Sequence, residues 1–188
     1  PDAVQAFRDL YVIITNFIRG AWVSQVQSIG YNRSILGDVA GLPEFLFGAE
    51  RQSLERYKFV LQAYQRSQCF YCGKVTKSGD LDHFIPWSRY PVDLGHNFVF
   101  AHSACNRKKR ELLAGTEHLS KWKEENLEEG GDLTKAFVSS GLVQDKERSR
   151  HIAIWAYEQG EAAGAHVWKE GDKVQRLGRA WRDILLPQ

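Results

Sequence analysis

Residues 69–113 decide the fold, and they read CFYCGKVTKSGDLDHFIPWSRYPVDLGHNFVFAHSACNRKKRELL. In this stretch turn residues, short β-compatible runs and clustered Cys, His and Asn replace the helical periodicity of the surrounding chain. Residues 81–85 and 97–101 are predicted to form two short strands, and residues 103–113 are predicted to form a helix that ends near Gly115. The stretch therefore predicts a small ββα unit.

Two pairs of candidate metal ligands bracket the predicted hairpin. Cys69 and Cys72 form a CxxC knuckle, and His102 and Cys105 form an HxxC pair farther along the chain. Two such pairs complete a tetrahedral Zn²⁺ shell, and a complete shell leaves no open position for chemistry. The zinc is therefore predicted to be structural. It would stand in for missing hydrophobic core, since structural zinc is worth on the order of 10 kcal/mol in small modules.

A redox function is the alternative for the CxxC pair. Thioredoxin-like redox pairs occur in a βαβ context. This stretch does not show that pattern, and a redox pair would leave Cys105 without a role. The sequence therefore favours zinc.

The cysteine count and the apolar runs also bear on location. Three cysteines cannot all pair as disulfides, and metal-binding thiols favour a reducing compartment, so we expect a soluble, cytoplasmic protein. The apolar run over residues 10–18 is interrupted by Thr15 and Asn16 and is far short of a membrane span, and no signal-peptide pattern is visible. Because the chain begins with Pro1, we expect a fragment or a processed form that lacks preceding sequence.

Positive charge is concentrated in the same part of the chain. The net charge is only +2, but residues 66–110 hold eight basic and three acidic residues, a net charge of +5 that leaves −3 for the rest. Such a distribution is typical of a surface that faces a polyanion. Chance exposure of basic residues to solvent is the alternative.

Three motifs lie between and beside the ligand pairs. They are Asp82-His83-Phe84-Ile85-Pro86, then Asn97, then Cys105-Asn106-Arg107-Lys108-Lys109. In this order and spacing they resemble the HNH endonuclease family, also called the ββα-metal fold, with Asn106 where the family name has a histidine. The resemblance covers residues 69–113, and the wording around Asp82 is similar to bacterial HNH proteins with helical flanks.

The residue types fit the chemistry of phosphodiester hydrolysis. Asp82 offers a hard oxygen to Mg²⁺ or Mn²⁺, and His83 can take a proton from the attacking water, because histidine changes charge near neutral pH. A regular strand would point these neighbours to opposite faces, and the resemblance implies that both reach the cleft. It also implies that Asn97 ties the loop between the strands and holds His83, and that Asn106 supplies an amide oxygen as the second metal ligand.

A basic run follows the last motif, and it is a candidate nucleic-acid contact. On a helix its four members fan around nearly a full turn, so one or two of them can touch the scissile phosphate, and the others contact neighbouring phosphates or solvent. Arg89, in the loop between the strands, is a weaker candidate for the same work. The run consists of Arg107, Lys108, Lys109 and Arg110.

The flanks read as mostly helical. Helical spacing of apolar residues covers residues 2–29, where Gly20 is a candidate break, and residues 50–66, with a loop over 30–43 between them. Thr116 and Asp132 are candidate helix starts, residues 145–159 and 179–186 are predicted helices, and residues 160–174 are ambiguous. The predicted fold is α+β: a helical region over 1–66, an HNH ββα core with structural zinc over 67–115, and a helical region over 116–188 that packs on the core.

The sequence therefore predicts a metal-dependent endonuclease that hydrolyses phosphodiester bonds in nucleic acid, DNA in preference to RNA, with no membrane partner. Two alternatives belong to other classes: a non-catalytic zinc module that binds nucleic acid, and a redox or protein-interaction module built on the CxxC pair. HNH proteins serve in restriction, phage defence, homing, recombination and repair, and the shared site is common to all of these. The flanks are expected to set the target and any partner protein.

Overall fold

The computed structural model describes residues 3–29, 54–128 and 131–186. The chain forms two compact units, residues 1–50 and residues 51–188. The loop predicted over 30–43 and the first residues of the helix predicted over 50–66 lie outside the described residues. Within the described ranges, none of the helices combines the length and the apolar character that a bilayer crossing requires.

The described part of the first unit is one long helix, α1, which spans Ala3–Ser28. Gly20 does not break it, contrary to the expectation from sequence, because a glycine inside a helix costs only about 1 kcal/mol. Its apolar stripe is exposed, as the 77% exposure of Phe17 illustrates. Among the described residues of this unit, α1 is the only element, so they offer no second layer against which to bury such a stripe.

The second unit is built around an antiparallel hairpin. Helix α2 (Leu54–Tyr64) precedes strand β1 (Gly79–His83), a 3-10 helix (Gly95–Asn97) leads into strand β2 (Phe98–His102), and α3 (Ser103–Lys109) follows directly. The register sets Asp82 opposite Val99 and His83 opposite Phe98. The predicted ββα unit is therefore present, and the regular strand directs Asp82 and His83 to opposite faces.

The chain beyond residue 115 adds further helices and a second hairpin. These elements are α4 (Thr116–Trp122), a π-helical turn (Lys123–Glu128), α5 (Gly131–Ser139), α6 (Lys146–Ala162), β3 (His166–Glu170), β4 (Lys173–Arg176) and α7 (Trp181–Leu185). The helix α6 is capped by Asp145, whose side chain accepts a hydrogen bond from the Arg148 amide over 2.9 Å. The α+β class predicted from the sequence is confirmed.

Helix α3 is shorter than predicted. It ends at Lys109 because Arg110 adopts the left-handed region, with φ of 53°. The chain then runs beside β3: the amide of Trp168 donates to the Leu113 carbonyl over 2.8 Å, and the amide of Gly115 donates to the Trp168 carbonyl over 2.7 Å. Pairing with a distant strand thus overrides the local helical preference of residues 110–113.

The hairpin β3–β4 carries almost no signal in the sequence. All four residues of β4 are exposed, and only Val167 and Trp168 of β3 are buried, so apolar and polar residues do not alternate. Gly171 makes the turn with φ of 54°, which favours glycine. The position of this hairpin depends on contacts of β3 with residues 113–115. The secondary structure of residues 160–174 was therefore ambiguous from the local sequence pattern.

Both faces of the hairpin β1–β2 are covered, which supplies the core that so small a unit lacks alone. On the His83 face, the Tyr57 ring packs 4.9 Å from Phe98 and 5.8 Å from Phe137, which joins α2 and α5 to β2. Beyond the end of β1, Phe84 stacks on Trp122 of α4 at 4.8 Å. The buried cluster on the His83 face comprises Tyr57, Val60, Leu61, Phe98, Phe100, Leu133, Phe137 and Leu142.

Candidate active site and metal cluster

The four predicted zinc ligands converge. The CxxC knuckle, the end of β2 and the start of α3 bring Cys69, Cys72, His102 and Cys105 together, with one ligand atom from each lying within 4.8 Å of the others. The Sγ of Cys72 lies 3.2 Å from Nδ1 of His102. A tetrahedral zinc with arms of about 2.0–2.3 Å fits such a spacing, so the cluster is compatible with a structural zinc.

The electrostatics of the cluster also call for a cation. Burial by itself raises the pKa of the Cys69 thiol, but the backbone amides of Cys72, His102 and Tyr71 outweigh it and bring the pKa down to about 7. Burial and the adjacent sulfur of Cys69 raise the pKa of Cys105 to about 12. A cation bound between these sulfurs would favour their thiolate forms, which is the chemistry of a zinc site.

The candidate base His83 is held by a carboxylate that the sequence analysis did not identify. Nε2 of His83 lies 2.9 Å from Oδ1 of Asp93, and the two side chains are only 16% and 10% exposed. A carboxylate only accepts, so the neutral imidazole donates from Nε2, and Nδ1 is left as its basic nitrogen. The rings of Phe98 and Trp87 lie 4.5 Å and 5.2 Å from the imidazole and fix its plane.

The candidate metal ligand Asp82 lies on the opposite face of β1 from His83, within a buried polar group. Its Oδ2 accepts from the Tyr71 hydroxyl at 2.5 Å and lies 3.0 Å from Nζ of Lys109, which also donates to the His83 carbonyl over 2.9 Å. Burial and the Asp82 carboxylate raise the pKa of Tyr71 well above its ordinary value, so the hydroxyl stays a donor. Burial lowers the pKa of Lys109, and Asp82 partly offsets that effect.

One oxygen of Asp82 is not engaged by these partners. Both contacts converge on Oδ2, and no described residue bonds Oδ1. Among the described residues, the only fully buried side-chain polar atom without a hydrogen-bond partner is Nδ1 of His96. Oδ1 of Asp82 is therefore the oxygen of this carboxylate that has no protein partner among the described residues.

Asn106 is arranged in the same way. Its Nδ2 donates to the Leu81 carbonyl over 3.3 Å, and since a carbonyl cannot donate, this bond fixes which end of the amide faces the strand. The amide oxygen is thereby left for another partner. Asn106 and Lys109 lie one turn apart on α3, so they share a helix face, while Cys105 faces the zinc cluster. Oδ1 of Asp82 and Oδ1 of Asn106 are hard oxygen ligands of the kind that Mg²⁺ and Mn²⁺ prefer.

Asn97 lies at the base of the loop between the strands. Its side chain accepts from the Ile85 amide over 2.8 Å and donates to the Ile85 carbonyl over 3.0 Å, and its own carbonyl accepts from the Phe84 amide over 2.7 Å. These bonds clamp the two residues that follow His83. The backbone that carries the imidazole is therefore fixed on both sides.

The basic run is not one continuous surface. Lys109 is 0% exposed and is bound to Asp82, so its predicted contact with a phosphate at the surface does not fit its position. Arg107, Lys108 and Arg110 are exposed, and together with Trp168 they line a cavity of about 350 Å³ between α3 and the β3–β4 hairpin. Lys108 pairs there with the exposed Asp172 at 3.2 Å.

Arg89 occupies a different position. It is partly buried in the loop between β1 and β2, where its amide donates to the Pro86 carbonyl over 2.9 Å. Burial raises the pKa of Tyr157, and the charge of Arg89 partly offsets that rise, which indicates that the guanidinium lies near this buried ring.

Lys109→Met should destabilise the protein. Removal of the ammonium leaves the buried Asp82 carboxylate without its cation, and breaking a buried pair in this way typically costs about 3–5 kcal/mol. Lys108→Met is the matched control, because its ammonium pairs at the surface, where such pairs are worth about 1 kcal/mol or less. Urea denaturation of both variants measures the difference. Equal losses for the two variants would show that the Lys109–Asp82 pair has no special part in stability.

The second unit thus contains a ββα arrangement that carries a Cys3His cluster and, at the end of its first strand, a histidine beside the carboxylate of Asp93. Residues 69–114 match a family model described as an HNH endonuclease, in agreement with the resemblance that their motifs indicated. The match covers about a quarter of the chain and indicates nuclease activity in general. No curated protein is significantly similar to the chain.

Two residues of this site, Asp93 and Tyr71, could not be recognised from the motifs. Asp93 lies in the irregular loop between β1 and β2, and no motif in the sequence pairs it with the imidazole of His83. Tyr71 lies inside the CxxC knuckle, where it reads as a spacer between ligands, and only the fold shows that its hydroxyl reaches Asp82. The one signal in the sequence is that a buried carboxylate at Asp82 requires a hydrogen-bond donor, and a tyrosine hydroxyl is such a donor.

Proposed function

We propose that the protein is a metal-dependent endonuclease that hydrolyses phosphodiester bonds in nucleic acid, with DNA as the preferred substrate. His83 acts as general base, and Asp82 and Asn106 hold a Mg²⁺ or Mn²⁺ ion. The observation that carries this proposal is that both candidate ligands have one atom bound to protein and one oxygen left for another partner. A divalent cation at those oxygens would neutralise charge on the phosphate and stabilise the departing oxygen.

The separation of Asp82 and His83 on two faces of β1 is compatible with this chemistry. In phosphoryl transfer the attacking and leaving oxygens lie roughly in line on opposite sides of phosphorus. A base on one side and a metal ligand on the other can therefore serve the same phosphate when it lies at the end of the strand. Asp93 supports this role of His83, because it fixes Nδ1 as the nitrogen that takes a proton from water.

Asn97 has a positioning role in this proposal. The two hydrogen bonds with Ile85 hold the loop that follows His83, so the imidazole keeps its place when a substrate binds.

Phosphates along the nucleic-acid backbone are contacted by the exposed cations of α3, with Arg89 as a further candidate. These cations are Arg107, Lys108 and Arg110. Metal-binding cysteines need reducing conditions to stay free of disulfides, which supports a location in the cytoplasm. The regions 1–66 and 116–188 are proposed to select the target.

In the deciding experiment the protein is incubated with Mg²⁺, Mn²⁺ or EDTA and one nucleic acid at a time. The nucleic acids are plasmid DNA, linear duplex DNA, single-stranded DNA, modified DNA and RNA. Cutting that requires a divalent ion, with DNA preferred, is the expected result. Binding measured in EDTA separates recognition from cleavage. Binding without cutting under every metal condition would instead support the second candidate, a zinc-containing module that binds nucleic acid.

Salt should weaken substrate binding steeply. Each phosphate neutralised on a duplex changes log K by about −0.9 per tenfold rise in salt, so three exposed cations predict a slope of roughly −2 to −3. Arg107→Ala, Lys108→Ala or Arg110→Ala should each reduce the slope by about 1. Lys135→Ala, which removes an exposed cation on α5, is the control. A flat salt response of the unmodified protein would rule out the α3 cations as the binding element.

A further inference from the structure

The zinc knuckle and the candidate metal ligand are in direct contact. Tyr71 is one of the two residues between Cys69 and Cys72, so its backbone position is set by the cluster. Its side chain is buried, and its hydroxyl bonds Oδ2 of Asp82 at 2.5 Å. One side chain of the cluster segment thus reaches the buried carboxylate that is proposed as a metal ligand.

The ring of Tyr71 is held from outside the HNH segment. His118 of α4 and Trp168 of β3 contact it edge to face, with centroids 5.3 Å and 5.1 Å away, and these two rings stack on each other at 5.2 Å. The His118 ring is fixed in turn by a hydrogen bond to the Lys169 carbonyl over 2.8 Å. The C-terminal region therefore limits the rotation of Tyr71, and the direction of its hydroxyl is set before any metal binds.

We infer that Tyr71 is a positioning residue for the catalytic metal ion: it holds Oδ2 of Asp82 so that Oδ1 points into the cleft. This inference rests on the proposed function, because it assigns Asp82 as a metal ligand. The partners that orient a ligand commonly change metal affinity or activity by about 10- to 100-fold when they are removed. The contact also gives the cluster and the C-terminal region a shared role, since both fix Tyr71.

Without the hydroxyl, the carboxylate keeps only Lys109 on Oδ2 and can rotate about its Cβ–Cγ bond. Binding of the ion would then have to fix the orientation of the Asp82 carboxylate, and this entropic cost would weaken the affinity for the ion. Saturating metal restores the ordered state, so the turnover number recovers at high metal concentration. A purely structural role predicts a different pattern, with loss of zinc or of thermal stability and no specific change in metal affinity.

The test uses the zinc-loaded full chain with Tyr71→Phe, which keeps the ring and removes only the hydroxyl. Tyr64→Phe is the matched control, since it removes a hydroxyl that donates to the Glu125 carbonyl and has no contact with Asp82. Asp82→Asn is the reference for loss of the ligand. Mn²⁺ dissociation constants are measured by electron paramagnetic resonance and calorimetry, zinc content by elemental analysis, folding by thermal melting, and cleavage as kcat against Mn²⁺ concentration.

We expect Tyr71→Phe to keep one zinc and the melting temperature of Tyr64→Phe, to weaken Mn²⁺ binding by about 10- to 100-fold, and to recover kcat at saturating Mn²⁺. A Mn²⁺ affinity within twofold of the unmodified protein would overturn the inference and leave the proposed function intact. Unmodified protein that binds Mn²⁺ no better than Asp82→Asn would overturn the proposed function itself. Loss of zinc in Tyr71→Phe would also overturn the inference, because the hydroxyl would then serve the cluster.

Discussion

His83→Ala is expected to lower the cleavage rate by about 100- to 10,000-fold and to leave nucleic-acid binding unchanged. A positioned general base contributes that much to a proton-transfer step, and alanine removes the nitrogen that takes the proton from water. Binding is retained because the exposed cations of α3 lie on another element of the fold. Single-turnover cleavage with saturating protein and Mg²⁺ measures the rate, and binding is measured in EDTA.

Two further variants make the interpretation specific. His151→Ala removes an exposed histidine on α6 and should cleave at the normal rate, which controls for general effects of losing a histidine. Asp93→Asn keeps the size of the side chain, but its amide can donate as well as accept, so the imidazole is no longer restricted to one tautomer and the rate should fall. Added imidazole should partly restore His83→Ala. A variant that cuts at the unmodified rate would remove His83 from the mechanism.

Motif spacing was sufficient to predict the zinc cluster and the ββα unit, because ligand geometry and strand pairing leave few arrangements of such a short stretch. The CxxC and HxxC pairs could only meet if the chain folded back between them, and the hairpin β1–β2 does this. The regular strand separates Asp82 from His83, so the expectation from the resemblance that both reach one cleft stays a prediction. The burial of Lys109 could not be predicted in this way, since a lysine in a basic run is usually solvated. It is buried because a carboxylate and a backbone carbonyl meet its ammonium.

Other features depend on tertiary contacts that no local sequence pattern predicts. The β3–β4 hairpin exists because Trp168 pairs with residues 113–115, and the same contact ends α3 at Lys109. Asp93 reaches His83 from the irregular loop between β1 and β2. The local sequence pattern does not predict these tertiary contacts. The most informative feature of the site, the Tyr71–Asp82 contact, belongs to this class.

Removal of zinc should have the largest effect on the protein. One tightly held zinc per chain is expected to remain after extensive dialysis, and Cys105→Ser, or a strong zinc chelator, should remove it. Apparent binding energies of structural zinc are about 10–16 kcal/mol, which is comparable with the whole stability of a domain of this size, about 5–15 kcal/mol. Elemental analysis gives the zinc content, and thermal melting gives the stability. Ser103→Ala, a substitution on the same helix that leaves the four ligands intact, is the control.

The loss should begin at the knuckle and α3, because the cluster joins Cys69 and Cys72 to His102 and Cys105. In contrast, α2, β2 and α5 share a buried aromatic cluster that does not include the ligands. Hydrogen exchange should therefore show early loss of protection at residues 69–76 and 103–109, with the amides of α2 and α5 protected for longer. Since α3 carries Asn106 and Lys109 and the knuckle carries Tyr71, the same step disassembles every partner of Asp82. Zinc-free protein that stays folded, protects both segments and binds Mn²⁺ normally would refute the structural role of the cluster.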